Sequence, residues 1–225
     1  MPILGYILTA LAAYLLGSIP TGFLVAKAKG VDIRAAGSGN IGATNAMRVL
    51  GKTAGIFVLL LDAAKGFIAC SLGVFMAVNL ANQQSGLHSV GNNSGDAVFN
   101  SLLYLPIVAG IFAVLGHNYT CWLKFKGGKG VATTAGVYLA LAPVPLAVAL
   151  AAFILALLVT RYVSVGSISA AVALPLAVWI MAPDNLLLGI VTTALGALAI
   201  YKHKSNIRRL LAGTENRLGK QTEIK

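Results

Sequence analysis

Gly37-Ser38-Gly39-Asn40-Ile41-Gly42-Ala43-Thr44-Asn45, followed by Arg48, is the stretch on which the fold turns. Taken alone, Gly37-x-Gly39-x-x-Gly42 is a dinucleotide fingerprint and would require a preceding strand and a βαβ unit. Its neighbours forbid that. An apolar run over residues 3–26 precedes it and another over 53–79 follows, so the glycines lie in a polar gap between two membrane segments. Nor does Gly51-Lys52-Thr53 close a phosphate loop of the nucleotidase type, because position 46 is Ala46 rather than glycine. What remains is an unusually rich set of backbone N–H groups, hydroxyls and amides, with Lys27, Lys29, Arg34, Arg48 and Lys52 around them. That inventory suits an anion, and phosphate above all.

Composition agrees with a membrane setting. The 225 residues are 58% hydrophobic and only 10% charged, with a mean hydropathy of +0.84, whereas an ordinary soluble domain is about 25% charged. Apolar runs fill nearly the whole chain, which predicts one domain over residues 1–225 rather than a soluble core with an anchor. A net charge of +11 would suggest nucleic acid in a soluble protein. Here position argues otherwise: no Lys or Arg precedes Lys27 and none falls between Gly66 and Leu123. The basic clusters at 27–52, 124–129, 161 and 202–225 therefore read as cytoplasmic loops, with no nucleic-acid partner and the bilayer itself as the surrounding medium.

The expected fold is all-α and polytopic, with about seven transmembrane helices, the N-terminus outside and the C-terminus cytoplasmic. The first span, 3–26, is interrupted at Gly17-Ser18-Ile19-Pro20-Thr21-Gly22, which predicts a kink or an unwound turn. The second, 53–79, carries Asp62 and Lys65 three residues apart on one face, where a structural ion pair is favoured over substrate contact. Residues 80–98, with His88, read as an external loop. Spans over 100–116, 131–142, 146–160, 167–181 and 186–201 complete the set. The 131–142 segment is short for a full crossing, and Pro143 and Pro145 mark an outer turn. The tail from Lys202 reads either as a basic interfacial helix or as part of the site.

A second glycine-rich basic stretch, Lys124-Phe125-Lys126-Gly127-Gly128-Lys129-Gly130, repeats the chemistry of the first at the edge of another apolar segment. Two phosphate cradles on one membrane protein point to two phosphorylated ligands. Cys70 and Cys121 suggest neither a disulfide nor a metal site, and no metal or other cofactor is expected.

These motifs resemble one family, the bacterial acyl-phosphate:glycerol-3-phosphate acyltransferases of the inner membrane. The resemblance is carried by Gly17-Ser18-Ile19-Pro20, by Gly37 to Asn45, by Leu61-Asp62-x-x-Lys65-Gly66 and by Gly116-His117. It continues through Phe125-Lys126-Gly127-Gly128-Lys129-Gly130-Val131-Ala132-Thr133, Arg161-Tyr162-Val163-Ser164 and His203-x-x-Asn206-Ile207-x-Arg209-Leu210-Leu211-x-Gly213-x-Glu215. One departure is Tyr119-Thr120, where members often have an aromatic residue followed by proline. The resemblance implies transfer of a fatty acyl group from acyl phosphate to the 1-position of glycerol 3-phosphate, giving 1-acyl-glycerol 3-phosphate and inorganic phosphate. It also implies an active site on the cytoplasmic face and a functional link to a soluble enzyme that makes acyl phosphate.

By the same resemblance the reacting groups are held by Ser38, Arg48, Lys126, His203 and Asn206. Gly37, Gly39, Asn40, Gly42, Thr44, Asn45, Gly127, Gly128, Lys129, Ser164 and Arg209 bind the substrates. An acyl phosphate carries a good leaving group, so positioning and charge neutralisation can suffice, with the proton passing to a substrate phosphate oxygen. His117 and His203 remain candidate bases. Three other readings compete. The His-x4-Asp acyltransferase motif fails, because His117 is followed at the fifth position by Trp122 and His203 by Arg208. A Cys121 acyl-thioester lacks a dedicated base in the sequence. An organic-phosphate transporter would be expected to place its charges near the midplane of two related halves, and residues 1–110 and 111–225 show no such repeat.

Overall fold

The computed structural model describes residues 2–85 and 104–218. Among the described residues the regular structure is helical throughout: α1 (Pro2–Ser18), α2 (Thr21–Ala28), α3 (Ala43–Leu50), α4 (Lys52–Ser85), α5 (Leu105–Asn118), a 3₁₀ turn (Cys121–Leu123), α6 (Val131–Leu141), α7 (Pro143–Thr160), α8 (Val163–Met181), α9 (Leu186–Lys202) and α10 (Lys204–Leu211). Five segments are long and apolar enough to cross a membrane: Ile3–Ala28, Lys52–Asn82, Leu105–Leu123, Pro143–Thr160 and Val163–Met181. A sixth exists if α9 and α10, bent by 53°, are one broken span, and Val131–Leu141 falls short of the length needed. The shortness of that segment was visible in the sequence, where it was counted towards about seven spans.

Helix boundaries differ from the sequence expectation at three places. Residues 43–50 continue from the glycine-rich loop as α3, so Thr44, Asn45 and Arg48 sit on a helix. The turn expected at Pro143 and Pro145 lies at Ala142, because proline's fixed φ suits the first turn of α7. Helix α4 runs on to Ser85, past the expected loop start at 80; the rest of that loop, with His88, lies outside the described residues.

Helix α1 packs chiefly on α5, α4 on α5 and α6, α7 on α8, and α8 on α9. Small residues allow the close crossings. A side chain at Gly66 would collide with the carbonyl of Thr133, and one at Gly136 with that of Ala63, so α4 and α6 meet backbone to backbone. Leu146, Leu174, Val178, Leu188 and Leu195 gather around Tyr138 in the main apolar cluster.

The expected break in the first span falls at Ile19-Pro20. Proline cannot continue the helical hydrogen-bond ladder, and lipid offers the freed carbonyls no donor. Side chains supply them instead. Thr120 Oγ1 donates to the Ser18 carbonyl at 2.5 Å and Lys65 Nζ to that of Ile19 at 3.0 Å. Thr120 is thus a helix-end donor, a part proline could not play. Lys65 also pairs with Asp62 at 2.9 Å, and Thr21 Oγ1 donates to the same Asp62 oxygen at 3.0 Å. Both charged side chains are about 95% or more buried.

Removing one member of such a pair strands the other charge. Lys65→Met is therefore expected to cost about 3–5 kcal/mol, read as a fall in thermal unfolding temperature in detergent. Asp62→Asn/Lys65→Met, which leaves no lone charge, is expected to recover part of the loss.

Candidate functional site

Three chain breaks and the bend between α9 and α10 enclose one cavity of about 330 Å³. Its polar end is lined by Ser38, Asn40, Thr44, Arg48, Lys129, Ser164, His203, Asn206, Arg209 and Glu215. The first-turn residues of three helices also face it: Ala43 and Thr44 of α3, Val131 and Ala132 of α6, and Val163 and Ser164 of α8. The first N–H groups of a helix lack internal partners, and each helix start acts as about half a positive charge. Together with Arg48, Lys129 and Arg209, these three helix starts give a concentrated positive field.

The first glycine-rich loop is held by Asn45. Its Oδ1 accepts from the Ser38 N–H at 2.8 Å, and its Nδ2 donates to the carbonyls of Ile33, Ala36 and Asn40 at 3.2, 3.1 and 2.8 Å. Asn45 is thereby committed to the loop's shape, and Asn40 Oδ1 likewise accepts from the Gly42 N–H at 2.8 Å. Gly37 adopts φ +60° directly against the Asn45 amide, where a Cβ would clash. Gly37 and Gly39 shape the backbone beside the cavity, while Ser38, Asn40, Gly42, Thr44 and Arg48 line it.

The second stretch turns sharply through Lys124 and Phe125, both left-handed at φ 53° and 60°. It is then pinned to the end of α5 by the Gly127 N–H on the Asn118 carbonyl (3.2 Å) and the Gly128 N–H on that of His117 (3.0 Å). Gly128 lies so close to the His117 ring that no side chain fits. The two lysines consequently part company. Lys129 enters the cavity wall and donates to Asn206 Oδ1. Lys126, expected among the reacting groups, is exposed and lines neither this cavity nor its neighbour. Gly127, Gly128 and Lys129 also border a smaller basic cleft beside Lys202 and Lys204. Cys121 lines neither space.

The tail folds back through the Leu218 N–H on the Arg161 carbonyl (2.8 Å), which delivers Glu215 to the cavity. Glu215 Oε1 accepts from Asn206 Nδ2 at 2.7 Å and from Ser164 Oγ at 3.1 Å, and Oε2 from Arg209 Nε at 2.7 Å. Burial would raise its carboxyl, but these hydrogen bonds and the Arg209 charge hold it below the ordinary value. Glu215 was visible in the sequence only as the end of the tail motif; no local pattern marked it as the carboxylate that gathers Ser164, Asn206 and Arg209. His203 is buried, with Nδ1 2.8 Å from the Ala199 carbonyl. A carbonyl can only accept, so Nδ1 carries the proton and a neutral ring keeps Nε2 as an acceptor. Asp62 and His117 line the cavity as well, their nearest atoms 3.7 Å apart. Lys65 does not line it, in keeping with the expected structural pair.

Beyond this polar end the same cavity continues between helices as apolar space lined by Leu146, Leu150, Phe153, Leu174 and Leu195. Leu59 and Leu150 line it and are each 45% exposed. Fold and site together define a polytopic helical membrane protein with a cationic chamber joined to an apolar one. The glycerol-3-phosphate acyltransferase family profile matches residues 7–213, and the chain belongs to that family. A glycerol-3-phosphate acyltransferase from Geobacter sulfurreducens is 48% identical over 94% of this chain and 96% of its own, and one from Geotalea daltonii is 44% identical over 93% and 96%. Crystal structures of PlsY (YgiH), an integral membrane glycerol 3-phosphate acyltransferase, superpose with TM-scores of 0.79 for the glycerol 3-phosphate form and 0.75 for the lysophosphatidic acid form. They are 38% and 39% identical and cover 95% of this chain, and 96% and 95% of their own.

Burial, reinforced by the neighbouring charges of Arg209, Arg48 and Lys202 and opposed by Glu215, pushes the Lys129 ammonium down to about 8. In the empty site Lys129 is charged below that pH and neutral above it. The KM for glycerol 3-phosphate is therefore expected to rise as pH passes upward through about 8. Lys129→Arg, which stays charged, should flatten the profile in steady-state assays over that window.

Proposed function

We propose that this chain, as a single domain, transfers a fatty acyl group from acyl phosphate to the sn-1 hydroxyl of glycerol 3-phosphate. The products are 1-acyl-sn-glycerol 3-phosphate and inorganic phosphate, made at the cytoplasmic face of a bacterial inner membrane. The observation that carries the proposal is the continuity of one cavity: a cationic end for phosphates joined to an apolar end for a chain. The surface exposure of Leu59 and Leu150, which also line it, supports loading of a lipid-soluble donor from the side.

In this reading the sn-1 hydroxyl oxygen attacks the acyl carbonyl carbon, the bond from that carbon to the phosphate oxygen breaks, and the electron pair leaves with phosphate. The hydroxyl proton passes to a phosphate oxygen. Arg48 offers a planar fork to a phosphate and Lys129 a point charge to the leaving group. Ser38, Thr44 and the amides at the starts of α3 and α6 complete the cradle. Ser164, Asn206 and Arg209, held together by Glu215, orient glycerol 3-phosphate, and His203 Nε2 accepts from its hydroxyl. Gly37, Gly39 and Asn45 keep the first cradle in shape, as Gly127 and Gly128 do the second. Lys126 contributes charge at the rim. Positioning and charge neutralisation then supply the rate enhancement. A soluble enzyme that makes acyl phosphate would feed the site.

Purified protein given palmitoyl phosphate and glycerol 3-phosphate in detergent is expected to release phosphate and form the monoacyl product in equal amounts. Arg48→Ala and Lys129→Ala should each lower kcat/KM by about 100-fold or more, and Lys126→Ala by less than about fivefold. Binding of both phosphates without product would favour a transporter.

A further inference from the structure

The apolar arm of the cavity runs down two helices, past Ala199, Leu195 and Thr192 on α9 and past Ser167 and Leu174 on α8. Thr192 is the polar lining residue farthest along α9 from His203. It is 1% exposed, its Oγ1 accepts from the Tyr138 hydroxyl at 2.5 Å, and it donates to the Leu188 carbonyl at 2.6 Å. Tyr138 and Leu188 belong to the packed apolar cluster, so the space beyond is closed by protein rather than open to lipid. A threonine whose hydroxyl is doubly committed cannot rotate away, and its methyl group is a fixed wall.

At about 1.5 Å per residue, Thr192 lies about 16 Å along the helix from His203, and Leu174 about 15 Å from Ser164. We propose that Thr192, braced by Tyr138, is the stop that sets acyl-chain length in this protein. The proposal rests on the acyl-transfer reading above. An extended saturated chain of roughly a dozen carbons reaches the stop. Longer chains fit only by bending towards the exposed side of the cavity at Leu59 and Leu150.

The test compares the parent with Thr192→Phe, Thr192→Val and Leu174→Ala, using octanoyl, lauroyl, palmitoyl and stearoyl phosphate in turn. Thr192→Phe should keep octanoyl turnover within about twofold and lose palmitoyl and stearoyl turnover by about tenfold or more. Thr192→Val, which keeps the branched shape but removes the brace to Tyr138, should blunt the length cut-off, with stearoyl gaining on lauroyl. Should Thr192→Phe elute aggregated, Leu174→Ala decides alone, with stearoyl gaining on lauroyl by about threefold or more. Equal losses at every length in Thr192→Phe, or an unchanged ratio in Leu174→Ala, would overturn the assignment. A parent inactive with every acyl phosphate would count against the donor reading instead; the same comparison with acyl thioesters would then test the stop.

Discussion

A helix surrounded by lipid must satisfy its own backbone, and any residue that leaves the helix must find partners in protein or in water. Among the described residues the chain leaves the helix at Ile19-Pro20, between α2 and α3, at Gly51, between α5 and α6, at Ala142, at Arg161-Tyr162, between α8 and α9, and at His203. The first is sealed by Lys65 and Thr120. The breaks between α2 and α3, between α5 and α6 and at His203 contribute walls to one cavity, as do Val163 and Ser164 just after the break at Arg161-Tyr162. Breaks that would be a liability against lipid thus border a polar chamber, together with the first turns of α3, α6 and α8.

That arrangement concentrates positive charge from a few side chains. Arg48, Lys129 and Arg209 converge with three helix starts, and Glu215 is the carboxylate that holds the tail against them. It binds Arg209 directly and reaches Lys129 through Asn206, so the cations are spaced before any ligand arrives. Preorganised charge of this kind costs little reorganisation during reaction. Burial, reinforced by the neighbouring cations, weakens the hold of Lys129 on its proton, which ties the electrostatic frame to a pH range rather than to a fixed charge state.

Much of this was legible in the sequence. The apolar runs gave the long helices to within about six residues at their ends, though not α3, Pro20 gave the broken span, and the two glycine-rich stretches, Ser164 and the tail supply residues that line the large cavity. The tail proved to be a site wall at Asn206 and Arg209 as well as a short basic helix. Other features depend on contacts that no local pattern encodes. Lys126 and Lys129 are alike in sequence and are separated only by the left-handed turn at Lys124 and Phe125 and the pinning of Gly127 and Gly128 to α5. Asn45 lines the cavity as expected, but only the structure shows its amide bound to four backbone groups. Glu215 acquires its place only when the tail docks on Arg161.

In the proposed reaction one phosphate is held where α3, α6 and the tail converge. A structure of the protein with glycerol 3-phosphate bound is the sharpest test. The phosphate is expected within hydrogen-bonding reach of Arg48 or Lys129 and of first-turn amides of α3 or α6, with the glycerol hydroxyls towards Ser164 and His203. A phosphate bound only in the neighbouring cleft at Lys202 and Lys204, with the large cavity unoccupied, would contradict it.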